Sequence, residues 1–562
     1  MSDELIRFRI SSALLAVAPA TTLAVNPWTN FDPISVVKMS VLSTFSFLIL
    51  ALMIYSRNSI LKGMDKKIVY LSILFIFSML ATLSFSGAPI SQQFWGMFGR
   101  NTGFLSYLSL LIVFIGACVV CETYFYLKVV NTLIATAIPM TAYCLIQMSG
   151  NDPIGWSLQQ TFGTLGNINF LSAFLGLVVV ACLAMSFGNS TRLAKKIMLI
   201  FLAVIDFYIA ASTGSIQGVL IAIAGATFII FIWMGRFKSH KLFRIFYFIL
   251  VTIMAFFGAL GLANKGPLSK LLFQESNILR TDYWHAGWQM TLDHPIFGVG
   301  MDSYGDWYRE ARGQISTLRG SPDRTANTAH NIFLDISSNG GILLLLIYLM
   351  LLLFSVRAIY RLFRRSSKYY DSTFAALSGV WIAYQVQAMV SINQLGVGIW
   401  GWLFSGALIG YESCTRDAST SNIGQSRRKL AAKNRGKLLP AAAGIISILG
   451  FAVGFSLSFP ALYADSKHFS ALKSGSIPNL ISASKLIGTT PFHMSQVIQK
   501  SISANLQSEA REVNEMLITK FPRDYFGWVA RYELPTTTPT ERVDAQKQLK
   551  RLDPFNPTIP QG

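Results

Sequence analysis

RTDYWHAGWQMTLDHPIFGVGMDSYGDWYRE, residues 280–310, runs on into ARGQISTLRGSPDRTANTAHNIFLDISSNGG, residues 311–341. It is the longest polar interval of the chain that lies between two strongly apolar segments. Its reading therefore sets the rest: helices that cross an apolar medium, joined at one end by a polar cap. The interval holds His285, His294 and His330, the arginines 280, 309, 312, 319 and 324, Trp284, Trp288 and Trp307, and both glycines of a tight GVG turn. Most of the chemistry open to this chain is concentrated here.

Outward from that stretch, the composition excludes an ordinary soluble domain. The 562 residues are 52% hydrophobic and only 13% charged, with a mean hydropathy of +0.47, whereas about a quarter of a soluble domain is charged. Runs of about 20 apolar residues recur, each able to cross a hydrocarbon core of about 30 Å as a helix that satisfies its own backbone. The alternation of a membrane barrel is absent. The fold class expected is all-α, a polytopic membrane bundle of about thirteen helices, with spans near 11–25, 34–55, 68–86, 104–121, 127–148, 168–187, 195–211, 215–234, 242–263, 331–354, 373–393, 396–411 and 438–460. The first run follows MSDELIRFR and has signal-peptide features, including APATTLA as a cleavage site; an uncleaved first helix is preferred because a second span follows at once.

The net charge of +20 invites a nucleic-acid reading, but the bases sit in short loops beside apolar segments. Arg57, Lys62, Lys66 and Lys67 fill the second loop, Arg192, Lys195 and Lys196 the sixth, Arg236, Lys238, Lys241 and Arg244 the eighth. Arg357, Arg361, Arg364, Arg365 and Lys368 fill the tenth, and Arg416 with the run from Arg427 to Lys437 the twelfth. Intervening loops hold almost none, Arg100 being the clear exception. Every second loop is basic, which puts the amino terminus in the cytoplasm and the polar interval and carboxyl terminus outside, with no nucleic-acid partner. Residues 1–460, including an external loop at 264–330, form one unit. Residues 461–562 turn polar and read as an extracytoplasmic helical module similar to tetratricopeptide pairs, although no 34-residue period repeats. TTTPT at 536–540 reads as a loop.

Of the five cysteines, Cys118, Cys121, Cys144 and Cys182 lie in apolar runs and Cys414 beside a basic loop, so no disulfide framework is implied. His330 and Asn331 stand where the polar interval re-enters an apolar helix. An imidazole there is suited to accept a proton from a hydroxyl at neutral pH; the plainer reading is a polar first turn. Arg280, Trp284 and Trp288 share a helix face, either as a guanidinium offered to a phosphate between interfacial indoles or as a simple anchor. Arg309, Arg312, Arg319 and Arg324 add to an anion-binding field, with Arg324 the one assigned to substrate. Asp302, Asp306, Glu310 and Asp323 interleave with them, so most read as a paired, solvated surface. HPIFGVG, residues 294–300, is a turn rather than a phosphate loop, because its spacing matches no nucleotide fingerprint. Asp206 inside an apolar run supports a transporter reading. Gln217, Gln385, Gln387, Asn393 and Gln394 line a cavity or bond between helices. NPWTNFDP, residues 26–33, has one acid, and no His, Cys and carboxylate cluster has ligand spacing, so neither metal nor other cofactor is expected.

The order R…W…G…HPIFGVG…AHNIFLD…GG from Arg280 to Gly341, with GTLGNINFLSAFLG at 163–176, resembles the O-antigen ligase and polymerase superfamily of bacterial inner-membrane proteins. The resemblance implies a helical bundle with a large periplasmic loop, and transfer of a glycan from a polyprenyl diphosphate carrier to lipid A core, another glycan or a protein hydroxyl. By position Arg280 is similar to the arginine that binds the carrier diphosphate and His330 to the histidine that activates the acceptor, with Arg324, Trp284, Asn331 and Gln217 as substrate-binding candidates. An earlier-helix arginine of that family is replaced here by TGSIQG at 213–218, where Gln217 carries no charge. Two other classes stay open: a transporter or flippase organised around Asp206, and a non-catalytic envelope assembly protein that works through residues 461–562.

Overall fold

The computed structural model describes residues 2–57, 64–120, 122–156, 160–189, 191–235, 241–273, 275–319, 321–365, 370–418 and 440–559. Lys62, Cys121, Arg236, Lys238, Lys368 and the basic run 427–437 fall outside them. Among the described residues the chain is helical throughout, without strands. The helices are α1 (Ser2–Leu23), α2 (Ser35–Tyr55), α3 (Lys66–Phe85), the short α4 (Ile90–Trp95), α5 (Phe104–Val119), α6 (Thr123–Met148), α7 (Ile168–Ser186), α8 (Leu193–Ser212), α9 (Ile216–Met234) and α10 (Lys241–Leu262). The polar interval then supplies α11 (Ser269–Leu272), α12 (Glu275–Asp293), α13 (Tyr304–Ala311) and α14 (Gln314–Leu318). Then follow α15 (Ile332–Arg365), α16 (Ser372–Ala388), α17 (Leu395–Ala418) and α18 (Ala441–Ser474), and last α19 (Ile477–Ser484), α20 (Pro491–Ser503), α21 (Gln507–Lys520), α22 (Tyr525–Glu533) and α23 (Pro539–Leu552).

Every expected span interval holds a helix. Eight helices among the described residues are long and apolar enough to cross a bilayer, namely α2, α3, α6, α7, α9, α10, α15 and α18. The others in those intervals, α1, α5, α8, α16 and α17, are shorter or less apolar. Small residues let the helices approach closely, as expected where lipid removes the hydrophobic drive between them. On α18, Gly450 and Gly454 face Phe47 and Ser43 of α2, and Ser458 bonds Ser40 at 3.0 Å. Lys38, fully buried on α2, donates to the carbonyls of Thr21, Thr22 and Ala24 at 3.1, 2.6 and 3.0 Å. A cation at a helix carboxyl end answers its unsatisfied carbonyls and dipole. Asp206, also fully buried, accepts from the Thr141 hydroxyl at 2.5 Å.

α18 does not stop at residue 460. It continues through Pro460 to Ser474, so the change in composition falls within one helix. Its Asp465 accepts from Asn30 Nδ2 at 3.0 Å and from the Phe31 and Asp32 amides at 2.8 and 3.1 Å, and meets His493 Nε2 at 3.1 Å. Phe98 stacks on Phe492 at 4.3 Å. The last helices are thereby fixed to two turns at one end of the bundle. TTTPT is a loop only in part: Thr538 and Glu541 form a capping box that starts α23 at Pro539.

Candidate active site

The site is built on the start of α15. Asn331 Oδ1 accepts the amides of Phe333 and Leu334 at 3.0 and 3.2 Å, which makes it the helix cap. Asp335, one turn on, reaches back to accept the Ala329 amide at 2.8 Å and the Thr328 hydroxyl, and that hydroxyl accepts the His330 amide at 3.2 Å. So clamped, His330 takes a left-handed backbone with φ 51°, a conformation that a residue with Cβ holds only when its surroundings over-determine it.

The imidazole stacks on Tyr283 of α12, centroids 5.5 Å apart and planes 28° apart. Arg280 lies one turn before Tyr283. Burial lowers the His330 pKa to about 4, and the charges of Arg100 and Arg280 add to that shift. Burial raises the Tyr283 pKa, opposed by the charges of Arg324 and Arg280. The charges of Arg280 and Arg100 thus bear on one imidazole, which is neutral at pH 7 and able to accept a proton, while that of Arg324 bears on Tyr283.

The GVG turn docks this arrangement to the bundle. Val299 and Gly300 amides donate to Ser338 and Asn339 carbonyls at 2.8 and 3.0 Å, and the Ile342 amide to Pro295 at 2.8 Å. α15 kinks at Gly341, φ 82°, and Gly298 has φ 62°. A Cβ at Gly298 would collide with the Asn339 backbone and one at Gly341 with Ile296. The glycines serve the close approach of turn and kink.

A third element, the turn between α4 and α5, completes the site. Asp302 accepts the amides of Met97 and Thr102 at 2.8 and 3.1 Å and lies 3.5 Å from Arg100 Nε. Arg100 Nη1 donates to the Asn327 carbonyl at 3.1 Å. Arg100, Asp302, Asp335, Asn339, Tyr107 and Asn393 line a cavity of about 20 Å³, room for about one water. Arg100 was not among the site residues expected from sequence, yet it left a signal as the clear exception among loops that hold almost no bases.

The remaining expected residues are placed as follows. Trp284 packs against the cluster of Tyr304 and Tyr308 with its indole nitrogen buried, whereas Trp288 is exposed. Arg324 is exposed. Gln217 is buried at the start of α9, whose cap Ser215 bonds Asn169 and Ser172 of α7; no contact among the described residues joins it to the His330 group. The reading of Arg309 and Arg312 as a solvated surface paired with interleaved acids is corrected. Both are buried on Asp553 of α23, with Nη–Oδ distances of 2.8 and 2.7 Å. Arg319 pairs with Asp282 at 2.8 Å, and Glu310 with Arg523.

The fold is thus a helical bundle with apolar helices of spanning length, and its polar interval brings guanidinium charge to bear on one histidine. The O-antigen ligase family model matches residues 198–349, from within α8 to beyond the Gly341 kink. The match supports a relation of this stretch to the O-antigen ligase superfamily. It supports glycan transfer of the ligase or polymerase type in general, and the apolar helices are those of a multi-pass membrane protein. No curated protein sequence matches the chain.

Proposed function

We propose that the chain transfers a glycan from a polyprenyl diphosphate to an acceptor hydroxyl at the outer face of the cytoplasmic membrane, without a metal. The observation that carries this reading is the Tyr283–His330 stack with the charges of Arg280 and Arg100 directed onto it. Arg280 binds the diphosphate and His330 is the base. The acceptor oxygen attacks the anomeric carbon, the bond from that carbon to the diphosphate oxygen breaks, and the electron pair leaves with the diphosphate. The hydroxyl proton passes to the imidazole. A diphosphate is a good leaving group, so charge stabilisation by guanidiniums contributes more than acid help. Bound between the arginines, the diphosphate offsets their repulsion of an imidazolium, so His330 becomes a stronger base with donor in place.

A thirteen-span topology, amino terminus in the cytoplasm and carboxyl terminus outside, suits this chemistry because the site must meet donors presented on the outer leaflet. Lipid A core, a second glycan and a protein hydroxyl are all acceptors compatible with one donor site. The test is turnover by the purified full chain of a labelled polyprenyl-diphosphate oligosaccharide with each acceptor in turn, in chelator. Carrier release that disappears in Arg280→Gln and His330→Ala is expected; an intact donor with every acceptor would refute the reading. The transporter reading predicts the reverse order of sensitivity, with Asp206→Asn inactive and His330→Ala active.

A further inference from the structure

We infer that Arg100, carried by the turn between α4 and α5 and outside the matched segment, is a second donor-binding residue that contacts the diphosphate opposite Arg280, an assignment that rests on the donor reading above. The side chain is only 9% exposed, yet few of its donors are used. A guanidinium has five N–H groups. Arg100 makes one hydrogen bond, to Asn327, and its buried Nε has no hydrogen-bond partner among the described residues. Its ion pair with Asp302 is loose at 3.5 Å. The Nη1 end is exposed where it meets Asn327, within reach of a ligand, and a buried Nε without an acceptor is costly unless something else supplies one.

The turn is built to hold that guanidinium in place. Asp302 ties both ends of it through the Met97 and Thr102 amides. Asn101 and Asp302 adopt φ of 52° and 54°, and a Cβ on Gly96 would sit 2.5 Å from the Asp302 carboxylate. Asp335, on the far side of the cavity, is engaged by Thr328 and Ala329. The charges of Arg100 and Arg280 both act on His330, Asp282 is matched by Arg319, and the under-used donors are those of Arg100. Two guanidiniums on different elements fit two phosphates, each able to take charge-assisted hydrogen bonds.

The alternative is that Arg100 merely fastens the turn to Asp302 and Asn327. The two roles separate in the preference for polyprenyl diphosphate over polyprenyl monophosphate, measured as dissociation constants for the full chain in detergent. Wild type is expected to prefer the diphosphate, and Arg100→Gln to weaken diphosphate binding by about tenfold to a hundredfold with little change for the monophosphate. Equal losses on both lipids, or none, would overturn the assignment. Should Arg100→Gln fail to fold, Arg100→Lys, which keeps the charge but not the fork, carries the test: a loss of about threefold or more in diphosphate affinity supports it and wild-type affinity overturns it. A wild type that binds neither lipid sinks the donor reading and this inference with it. Binding that depends on Arg280 but not on Arg100 sinks this inference alone.

Discussion

Two sets of arginines, Arg309 with Arg312 and Arg100 with Arg280, lie within the same polar cap and differ in what their donors touch. Arg309 and Arg312 share the carboxylate of Asp553, donate to the carbonyls of Pro322, Asp323 and Arg324, and Arg309 lies 4.1 Å over the Tyr525 ring. Arg100 has one hydrogen bond and a loose ion pair, and Arg280 acts through its charge on Tyr283 and His330. Arg309 and Arg312 are buried and make several hydrogen bonds each, whereas Arg100 and Arg280 are only partly buried and Arg100 makes one. Arg309 and Arg312 fasten α23 to α13, and the charges of Arg100 and Arg280 act on the imidazole.

The sharpest way to break this contrast is to remove one group from each side. His330→Ala should lower the turnover number by about 10²- to 10⁴-fold, the usual contribution of a positioned general base, while the melting temperature of the full chain holds. Asp553→Ala should do the opposite. It strands two buried guanidiniums and costs about 3–5 kcal/mol of stability, read as a fall in the unfolding midpoint, with activity lost only in proportion to unfolded protein. If Asp553→Ala spared stability but abolished turnover, the division between structural and ligand-facing arginines would be wrong.

A smaller effect is expected in the pH profile. The His330 pKa is depressed to about 4, below the usual value near 6.5, so the free protein keeps a neutral base down to about pH 4. Its kcat/KM should fall only as pH drops through that value. The same depression lowers stability as pH falls from about 6.5 to about 4, where the unfolded chain takes a proton that the folded one resists. Removing a nearby positive charge must raise the pKa, so Arg100→Gln should move the acid limb of kcat/KM upward, toward 6.5. With donor bound the acid limb of kcat should lie above that of kcat/KM in the wild type. An acid limb that stays near pH 4 in Arg100→Gln would mean that Arg100 does not act on His330.

What the sequence made legible follows from which interactions are local. Apolar runs and the loops between them identified helices because both signals repeat along the chain. The order of motifs from Arg280 to Gly341 named Arg280 and His330, whose charges and ring interact in the fold, but not Tyr283, the ring that stacks on His330. Asp553 lies 244 and 241 positions from Arg309 and Arg312, and nothing local in TERVDAQKQLKRLD marks it as their partner. α18 ran past residue 460 because helical geometry does not require apolar composition once Asp465 and His468 have buried partners to pack against. Arg100 was visible as an exception to the loop charges, but only the fold brings it beside His330.

The smallest expected effect concerns Asn331, where a cap and a substrate contact compete as explanations of one residue. Its Oδ1 is already engaged by the Phe333 and Leu334 amides, and loss of such a cap costs about 1 kcal/mol, so Asn331→Ala should lower the unfolding midpoint slightly and activity less than tenfold. Asn331→Asp discriminates. A carboxylate caps as well as an amide but brings negative charge beside an anionic donor and offers no N–H. If the cap is the whole role, Asp restores stability and leaves the KM for donor near that of Ala or better. If the Nδ2 group donates to the glycan or diphosphate, Asp restores the helix yet raises KM further than Ala does, because it adds repulsion to the lost hydrogen bond. The two substitutions therefore assign Asn331 to the satisfied or the ligand-facing half of the cap without reference to any other residue.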